Sequence, residues 1–320
     1  MEKQTAGEVA RVFVVLNPVA GSCTAEEVRS ALERHFGAGA GVAEVYETTG
    51  DEVIAAVVNR ALEQGADRII AAGGDGTVSE VAGALVHTNV PLGIIPVGTA
   101  NVLAHELGIP LDLDAACALL AGEHTITNID AMRVGDRFFV LQIGIGIDAL
   151  MIRDTEREHK RRFGRAAYLW TAFSRLIGFQ PRRFTIAVDG ERLRPRAAQV
   201  LIANGGVLGI PPFRWGPDIR LDDGQIDVCI VSARTAIDYL GLLWHTLLGQ
   251  HKRDRNVRYL SARQSVTVSS DHPLPVQGDG EIIGETPVRV EVVPGAVHVI
   301  VPLADALPAR ESAGTDPNGG

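Results

Sequence analysis

Short apolar runs alternate with amphipathic stretches along the first third of the chain. The runs are rich in Val, Ile and Leu, have the length of buried strands, and cover residues 11–16, 68–72 and 91–95. Between them apolar positions recur three and four residues apart, which predicts helices over residues 26–36, 51–64 and 78–86. Strands that alternate with helices favour a doubly wound α/β domain with a parallel sheet.

Each of the three predicted strands is followed by a loop rich in Gly and Pro. The loops cover residues 17–21 (NPVAG), 73–77 (GGDGT) and 96–101 (PVGTAN). The carboxyl ends of parallel strands share one edge of the sheet, and open α/β folds bind ligands there. Glycines let the backbone approach a phosphate, and the following helices present free N–H groups. Three such loops predict a phosphate site; the alternative is that Gly and Pro serve only the turn geometry.

The phosphate site lacks the usual lysine. No GxxxxGK[ST] motif occurs, and Lys3 is the only lysine among the first 126 residues. Backbone amides, helix dipoles and a divalent cation would therefore carry the charge of a triphosphate, and Asp75 is placed to hold that cation. The Gly-rich residues 37–41 follow a helix rather than a strand, so we interpret them as a connection and not as a dinucleotide fingerprint.

The remaining two-thirds of the chain has mainly strand character. Short β-rich runs with turns between them cover residues 128–134, 137–143, 183–188, 199–203, 226–231, 265–268 and 288–293. They predict a sandwich or barrel-like second domain. Two apolar helices, over residues 165–177 and 236–248, adjoin basic clusters, so each is either a core helix or a segment that docks at a lipid interface.

Length and charge support two domains with different roles. A chain of 320 residues is long for one domain, so we expect an α/β domain over 1–126, a β-rich domain over 127–295, and a disordered tail over 309–320. Residues 1–126 hold 6 basic and 17 acidic residues, a net charge of −11, which leaves +2 of the total −9 for the remainder. Within the remainder, residues 151–196 carry +7. This basic segment is either a solvated face or a surface for an anionic partner, a membrane or a nucleic acid.

Composition excludes several classes of protein. With 46% hydrophobic residues the chain is globular, and no apolar run reaches the roughly 18 residues of a membrane span. The three cysteines form no CxxC pair, which gives no support to a zinc site. No secretory signal is visible, so we expect a cytoplasmic protein.

Two acidic turns in the β-rich part could complete a phosphoryl-transfer site. One contains Asp222 and Asp223 before Gly224, and the other contains Asp279 and Glu281 around Gly280. Phosphoryl transfer needs a metal and often a base that accepts the proton of the attacking hydroxyl. The alternative is that these acids only form Asx turns.

Taken in order, the loops at 17–21, 73–77 and 96–101 and the turns at 221–227 and 279–281 resemble the motifs of the diacylglycerol kinase/sphingosine kinase family, especially its soluble bacterial members. The resemblance runs from about residue 11 to residue 302. It implies a Rossmann-like, NAD kinase-like α/β domain, a β-sandwich domain, and ATP in the cleft between them. It also implies a last strand, at about 296–305, that returns to the first domain.

The resemblance also implies roles for individual residues. Glu281 matches the general base, Asp223 matches a Mg²⁺ ligand with the carbonyls of Arg220 and Gln225 beside it, and Asp222 and Asp75 match acids of the metal network. The chain departs from the family pattern at Val102 and Gln142, where Asp and Asn are frequent. The residues assigned to the nucleotide are Asn17, Pro18, Val19, Ala20, Gly21, Thr48, Ala72, Gly73, Gly74, Asp75, Gly76, Thr77, Val78, Gly98, Thr99 and Asn101.

We therefore expect a lipid kinase that uses ATP and Mg²⁺ to phosphorylate a lipid hydroxyl, of diacylglycerol or a sphingoid base. Its partner would be the lipid at the inner face of the membrane, reached by peripheral contact, and we expect no nucleic-acid partner. The oligomeric state stays open, a homodimer included. The alternatives are a soluble-metabolite kinase of the NAD kinase type and a non-catalytic nucleotide or lipid sensor.

Overall fold

The described residues form two β-sheets, one with eleven strands and one with six. They belong to a computed structural model that describes residues 11–303, apart from 22, 38–41, 148, 151, 153–180, 208–213, 217, 248–249 and 251–253. The predicted helix at 165–177, most of the Gly-rich connection at 37–41 and the tail at 309–320 lie outside the described residues. None of the described helices is long and apolar enough to cross a membrane.

The first half contains a four-stranded parallel unit. Its elements are β1 (Arg11–Leu16), α1 (Ala25–Phe36), β2 (Val42–Glu47), α2 (Ile54–Glu63), β3 (Arg68–Gly73), α3 (Asp75–Leu85), β4 (Leu92–Pro96), α4 (Val102–Leu107) and α5 (Leu113–Ala121). The strands lie in the order β4-β3-β1-β2 and all run parallel, which confirms the doubly wound α/β prediction and places their carboxyl ends at one edge.

Several features of this half differ from the sequence prediction. The pattern did not predict β2, α4 or α5. In addition, α3 begins at Asp75, three residues earlier than predicted, because Gly74 with φ −88° and ψ −174° acts as its N-cap. Asp75 and Gly76 therefore belong to the first turn of a helix and not to an irregular loop.

The second half is built on the six-stranded sheet. Its elements are β5 (Thr125–Val134), β6 (Arg137–Phe139), β7 (Gln142–Gly146), β8 (Arg182–Val188), β9 (Glu191–Leu193), β10 (Arg196–Ala197), β11 (Gln199–Ala203), β12 (Ile226–Val231), α6 (Ala236–Leu247), β13 (Val257–Ala262), β14 (Ser265–Ser270), β15 (Pro275–Gly278), β16 (Glu281–Glu285) and β17 (Val288–Val301). The order of the six-stranded sheet is β13-β12-β11-β7-β15-β16, and its pairs are all antiparallel. This sheet packs against the far part of the large sheet through a shared core, which confirms the sandwich prediction.

The prediction of one strand over residues 137–143 is wrong. The segment divides into β6, which pairs with β5 in the large sheet, and β7, which pairs with β11 and β15 in the small one. The chain crosses from one sheet to the other at residues 140–141, and the backbone amides of this crossing become important for the site.

The long strand β17 connects the two halves. Its first part pairs with β14, and residues 291–301 pair antiparallel with β5, with an irregularity between Val293 and Val297. Near its end, Val299 pairs in parallel with Leu92 of β4. The large sheet is therefore continuous from the parallel unit into the sandwich.

Candidate active site

The three Gly- and Pro-rich loops lie side by side at the carboxyl edge of the parallel unit. A Cβ on Gly98 would collide with the Cα of Gly74, so the second and third loops are in backbone contact. Gly21 has φ +72° and lies so close to the carbonyl of Val97 that no side chain could fit. Two glycines thus allow an approach that any larger residue would prevent.

Polar contacts fix the first loop against the second. The amide of Asn17 donates to the carbonyl of Ala72 at 2.9 Å, and its Nδ2 donates to Thr77 Oγ1 at 3.2 Å. The amide of Thr48, directly after β2, donates to the carbonyl of Leu16 at 2.9 Å. Three of the residues assigned to the nucleotide, Asn17, Thr48 and Thr77, therefore meet at this edge.

The N-terminus of α3 has the form of an anion site. Gly74 supplies no side chain, so the first amides of the helix receive no side-chain cap. A Cβ on Gly76 would meet nothing within 4 Å, which shows that this turn faces open space. The predicted residues Ala72 and Gly73 end β3 just before it, Val78 is buried in the core behind it, and Val19 and Thr99 are exposed in the neighbouring loops.

The carboxylate of Asp75 has a partner within the protein. Its Oδ1 accepts the amide of Val102 at 2.6 Å, so Asp75 caps the N-terminus of α4. Burial raises the pKa of Asp75, and the amides of α4 oppose that rise. Asp75 thus links the second loop to the helix that follows the third.

Asn101 shapes the third loop. It has a left-handed backbone with φ 49°, and its Nδ2 donates to the carbonyls of Pro96 at 3.2 Å and Gly98 at 3.0 Å. Its Oδ1 is buried and has no hydrogen-bond partner among the described residues.

The turn at Asp279 joins the sandwich to α3. Asp279 and Gly280 have φ values of 47° and 96°, as in the two-residue turns that suit a β-hairpin, here between β15 and β16. The buried carboxylate of Asp279 accepts the hydroxyl of Ser79 on α3 and three amides of the crossing between β6 and β7, from Val140 at 2.9 Å, Leu141 at 3.1 Å and Gln142 at 2.7 Å. Burial raises the pKa of Asp279, and these donors oppose the rise.

This attachment places Glu281 at the same cavity as the glycine loop. The cavity has a volume of about 430 Å³ and lies between α2, α3, the β5–β6 turn and the hairpin. Glu281 on β16 pairs with Arg137 at 2.9 Å across its wall. The lining residues are Glu52, Val53, Ile54, Ala55, Gly76, Ser79, Glu80, Gly83, Ala84, Asp136, Arg137, Phe138, Phe139, Gly278, Asp279 and Glu281.

Four charged residues of this cavity, Glu52, Glu80, Asp136 and Arg137, were not predicted from the sequence. Glu80 lies one turn beyond Gly76 on α3, and its partial burial and the nearby charge of Glu281 raise its pKa. Glu52 is held by the amide of Thr49, which contributes most to lowering its pKa to about 2. Arg137 could not be foreseen, but the recurrence of Gly76, Glu80 and Gly83 at helical spacing is a signal that α3 turns one face toward the site.

The other acidic turn lies elsewhere. Asp222 pairs with Arg220 at 3.0 Å, and Asp223 Oδ1 accepts the amide of Gln225 at 3.0 Å. The amides of Gly224 and Gly295, each at 2.7 Å, attach the turn and β17 to the carboxylate of Asp130 on β5.

Asp130 is the buried centre of that region. Burial is the main cause that raises the pKa of Asp130. The amides of Gly295 and Gly224 oppose the rise, and the negative charges of Asp223 and Asp222 add to it. Neither Asp222 nor Asp223 is among the described residues that line the Glu281 cavity. Within the described part of the chain, no group of three or more His, Cys, Asp or Glu side chains could hold a metal ion.

Comparison with known proteins identifies the family. Residues 11–134 match the diacylglycerol kinase catalytic domain, and residues 142–301 match the YegS C-terminal NAD kinase beta sandwich-like domain. A probable YegS-like lipid kinase of Pseudomonas aeruginosa is 33% identical over 291 residues, which are 89% of this chain and 94% of that protein.

Two further proteins agree with these matches. A diacylglycerol kinase of Bacillus subtilis is 28% identical over 302 residues, 92% of this chain and 98% of its own. The crystal structure of a diacylglycerol kinase from Bacillus anthracis superposes with a TM-score of 0.74 at 25% identity, over 92% of this chain and 98% of that one. The resemblance of the motifs is thus confirmed over nearly the full length, and the chain belongs to the diacylglycerol kinase family of lipid kinases.

Proposed function

We propose that this protein transfers the γ-phosphate of ATP to the hydroxyl of a lipid, of the diacylglycerol or sphingoid type, in a reaction that requires Mg²⁺. The observation that carries the proposal is that Glu281 of the sandwich and Gly76 of the glycine loop line one cavity. A proton acceptor and a phosphate-binding helix N-terminus are the two parts that such a transfer needs in one place.

The loops fit a nucleotide phosphate. Close backbone packing of Gly21, Gly74 and Gly98 leaves no side chain between the loops. The first turn of α3 has no side-chain cap, and its Gly76 faces open space. Asn17 and Thr77 hold the first two loops together by a side-chain hydrogen bond. ATP would supply the activated phosphoryl group, and these residues would bind and orient its phosphates.

The turn at Asp223 could bind one Mg²⁺ ion through a small number of protein ligands. No described residue donates a hydrogen bond to Asp223 Oδ2, and the carbonyls of Arg220 and Gln225 flank it in the same turn. Mg²⁺ commonly takes one or two carboxylates and completes its shell with water or phosphate oxygens. We propose that Asp223 and these two carbonyls hold the ion, with Asp222 beside it.

Glu281 is the proposed base. The acceptor hydroxyl oxygen forms a bond to the γ-phosphorus, the bond from that phosphorus to the bridging oxygen breaks, and ADP leaves. The hydroxyl proton passes to the carboxylate of Glu281. Arg137 holds this carboxylate at 2.9 Å, so the base is oriented before the acceptor arrives.

The direct test is phosphoryl transfer by the purified protein. We expect labelled ATP to phosphorylate at least one of diacylglycerol, sphingosine and monoacylglycerol in mixed micelles, and the product to disappear when Mg²⁺ is chelated. Labelling of NAD with no lipid labelled would instead assign the chain to soluble-metabolite kinases. Binding of ATP without turnover of any acceptor would indicate a sensor.

A further inference from the structure

Helix α6 presents an apolar face to solvent. Ile237, Leu240 and Trp244 recur at helical spacing, and 79%, 55% and 62% of their surfaces are exposed. Gly241 lies on the same face, and a Cβ built there would meet nothing within 4 Å. Large apolar side chains grouped in this way usually mark a binding surface, whereas single exposed ones do not.

The helix is held in place by polar contacts at both ends. Asp238 accepts the amides of Arg234 at 2.9 Å and Thr235 at 2.8 Å, while Thr235 Oγ1 accepts the amide of Asp238. Near the other end, His245 Nδ1 lies 2.9 Å from the buried carboxylate of Asp254. None of the described residues of α6 belongs to a hydrophobic core cluster. The polar contacts therefore fix the orientation of a face whose large apolar side chains stay exposed.

Exposed arginines surround the start of this helix. Ser232 connects them, because its amide donates to the carbonyl of Asn256 at 2.7 Å and its hydroxyl donates to the carbonyl of Arg196 at 3.0 Å. Arg234, Arg255 and Arg258 are exposed in the adjoining segments, and Arg258 pairs with Ile230 next to the end of β12.

Four exposed arginines of this region form no ion pair with any described residue, namely Arg196, Arg234, Arg255 and Arg258. Two carboxylates of the adjoining segments, Asp238 and Asp254, are engaged in the contacts at the ends of α6. The apolar face of α6 suits the acyl boundary of a bilayer, and the exposed guanidinium groups of the adjoining segments suit anionic headgroups. Together they match the interface of an anionic membrane.

We propose that α6 is the membrane-docking element of this protein, with Ile237, Leu240 and Trp244 inserted at the lipid interface and the four arginines on anionic headgroups. The inference rests on the proposed lipid acceptor, since a lipid kinase must meet its substrate at a bilayer. It adds the surface that makes the contact and the charge of the membrane that is preferred.

The test is sedimentation with vesicles of phosphatidylcholine and with vesicles of equal parts phosphatidylcholine and phosphatidylglycerol. We expect binding to the mixed vesicles, a loss of about tenfold for Leu240→Gln from the buried apolar area, and about fivefold for Arg258→Gln from one lost headgroup contact. The matched controls Leu111→Gln and Arg60→Gln change exposed residues outside the α6 region and should bind like the parent protein.

Each other outcome has a defined meaning. Equal binding of all variants, or binding to neither vesicle, would overturn the docking proposal. Loss of a dimer in Leu240→Gln, seen by sedimentation velocity, would assign the face to a second copy and also overturn it. Activity toward a short-chain acceptor in detergent micelles should be unchanged in Leu240→Gln. If the parent protein binds vesicles but phosphorylates no lipid, the proposed function fails while the docking surface stands.

Discussion

The two acidic turns of the sandwich half look alike in sequence and differ in what they do. The turn at 279–281 uses one acid, Asp279, as a buried anchor and leaves the next, Glu281, 48% exposed at a cavity. In the turn at 220–225 the acids lie at the surface, and the buried anchor is Asp130 of another strand. A pair of acids is therefore no guide to function until the backbone donors around each carboxylate are known.

The largest effect on activity is expected at Glu281, the exposed acid of the turn at 279–281. Glu281→Gln removes the proposed proton acceptor while keeping shape and hydrogen bonding, so kcat for lipid phosphorylation should fall by roughly 10²–10⁴-fold. The matched control is Glu285→Gln on the same strand, which should keep the parent kcat. A parent-like kcat in Glu281→Gln would show that Glu281 is not the proton acceptor. The difference in role between the two turns would then disappear.

The buried member of the same turn should act on folding instead. Asp279→Ala leaves three backbone amides and the Ser79 hydroxyl without an acceptor, so the free energy of unfolding in urea should fall by roughly 3–5 kcal/mol. Asp279→Asn keeps one acceptor oxygen and tolerates the positive φ, and it should lose less. Equal stability of both variants and the parent would mean that the anchor contributes nothing.

The smallest effect is expected from the second turn. If Asp223 holds Mg²⁺, saturating Mg²⁺ without nucleotide should stabilise the parent protein by about 1–3 kcal/mol, seen as a rise of a few degrees in Tm. Asp223→Asn should lose this rise, and the exposed Asp271→Asn should keep it. A rise that persists in Asp223→Asn would place the ion elsewhere and make the second turn purely structural.

Much of the fold was predictable because its signals are local. The strands β1, β3 and β4 are short apolar runs ended by Gly or Pro, and the loops after them meet as parallel topology requires. By contrast, β2 has glutamates at two of its six positions and lies at the sheet edge, so its sequence resembles a solvated connection.

The site was harder to predict because it depends on tertiary contacts. Residues 137–146 form an almost unbroken apolar run, and nothing local shows that the chain changes sheets at Val140 and Leu141. Those same amides orient Asp279 and so position Glu281. The partner of Asp75 in α4 and the pairing of Arg137 with Glu281 likewise join residues that are far apart in the chain.

The ladder of β17 has a mechanical consequence. This strand is hydrogen-bonded to β14, β5 and β4. The two halves therefore cannot rotate apart without breaking hydrogen bonds of the large sheet. The hydrogen bond from Ser79 to Asp279 is a second connection between the two halves, beside the cavity. For the proposed reaction, we therefore expect nucleotide to enter and product to leave through local movements of the surrounding loops and not through rotation of the two halves.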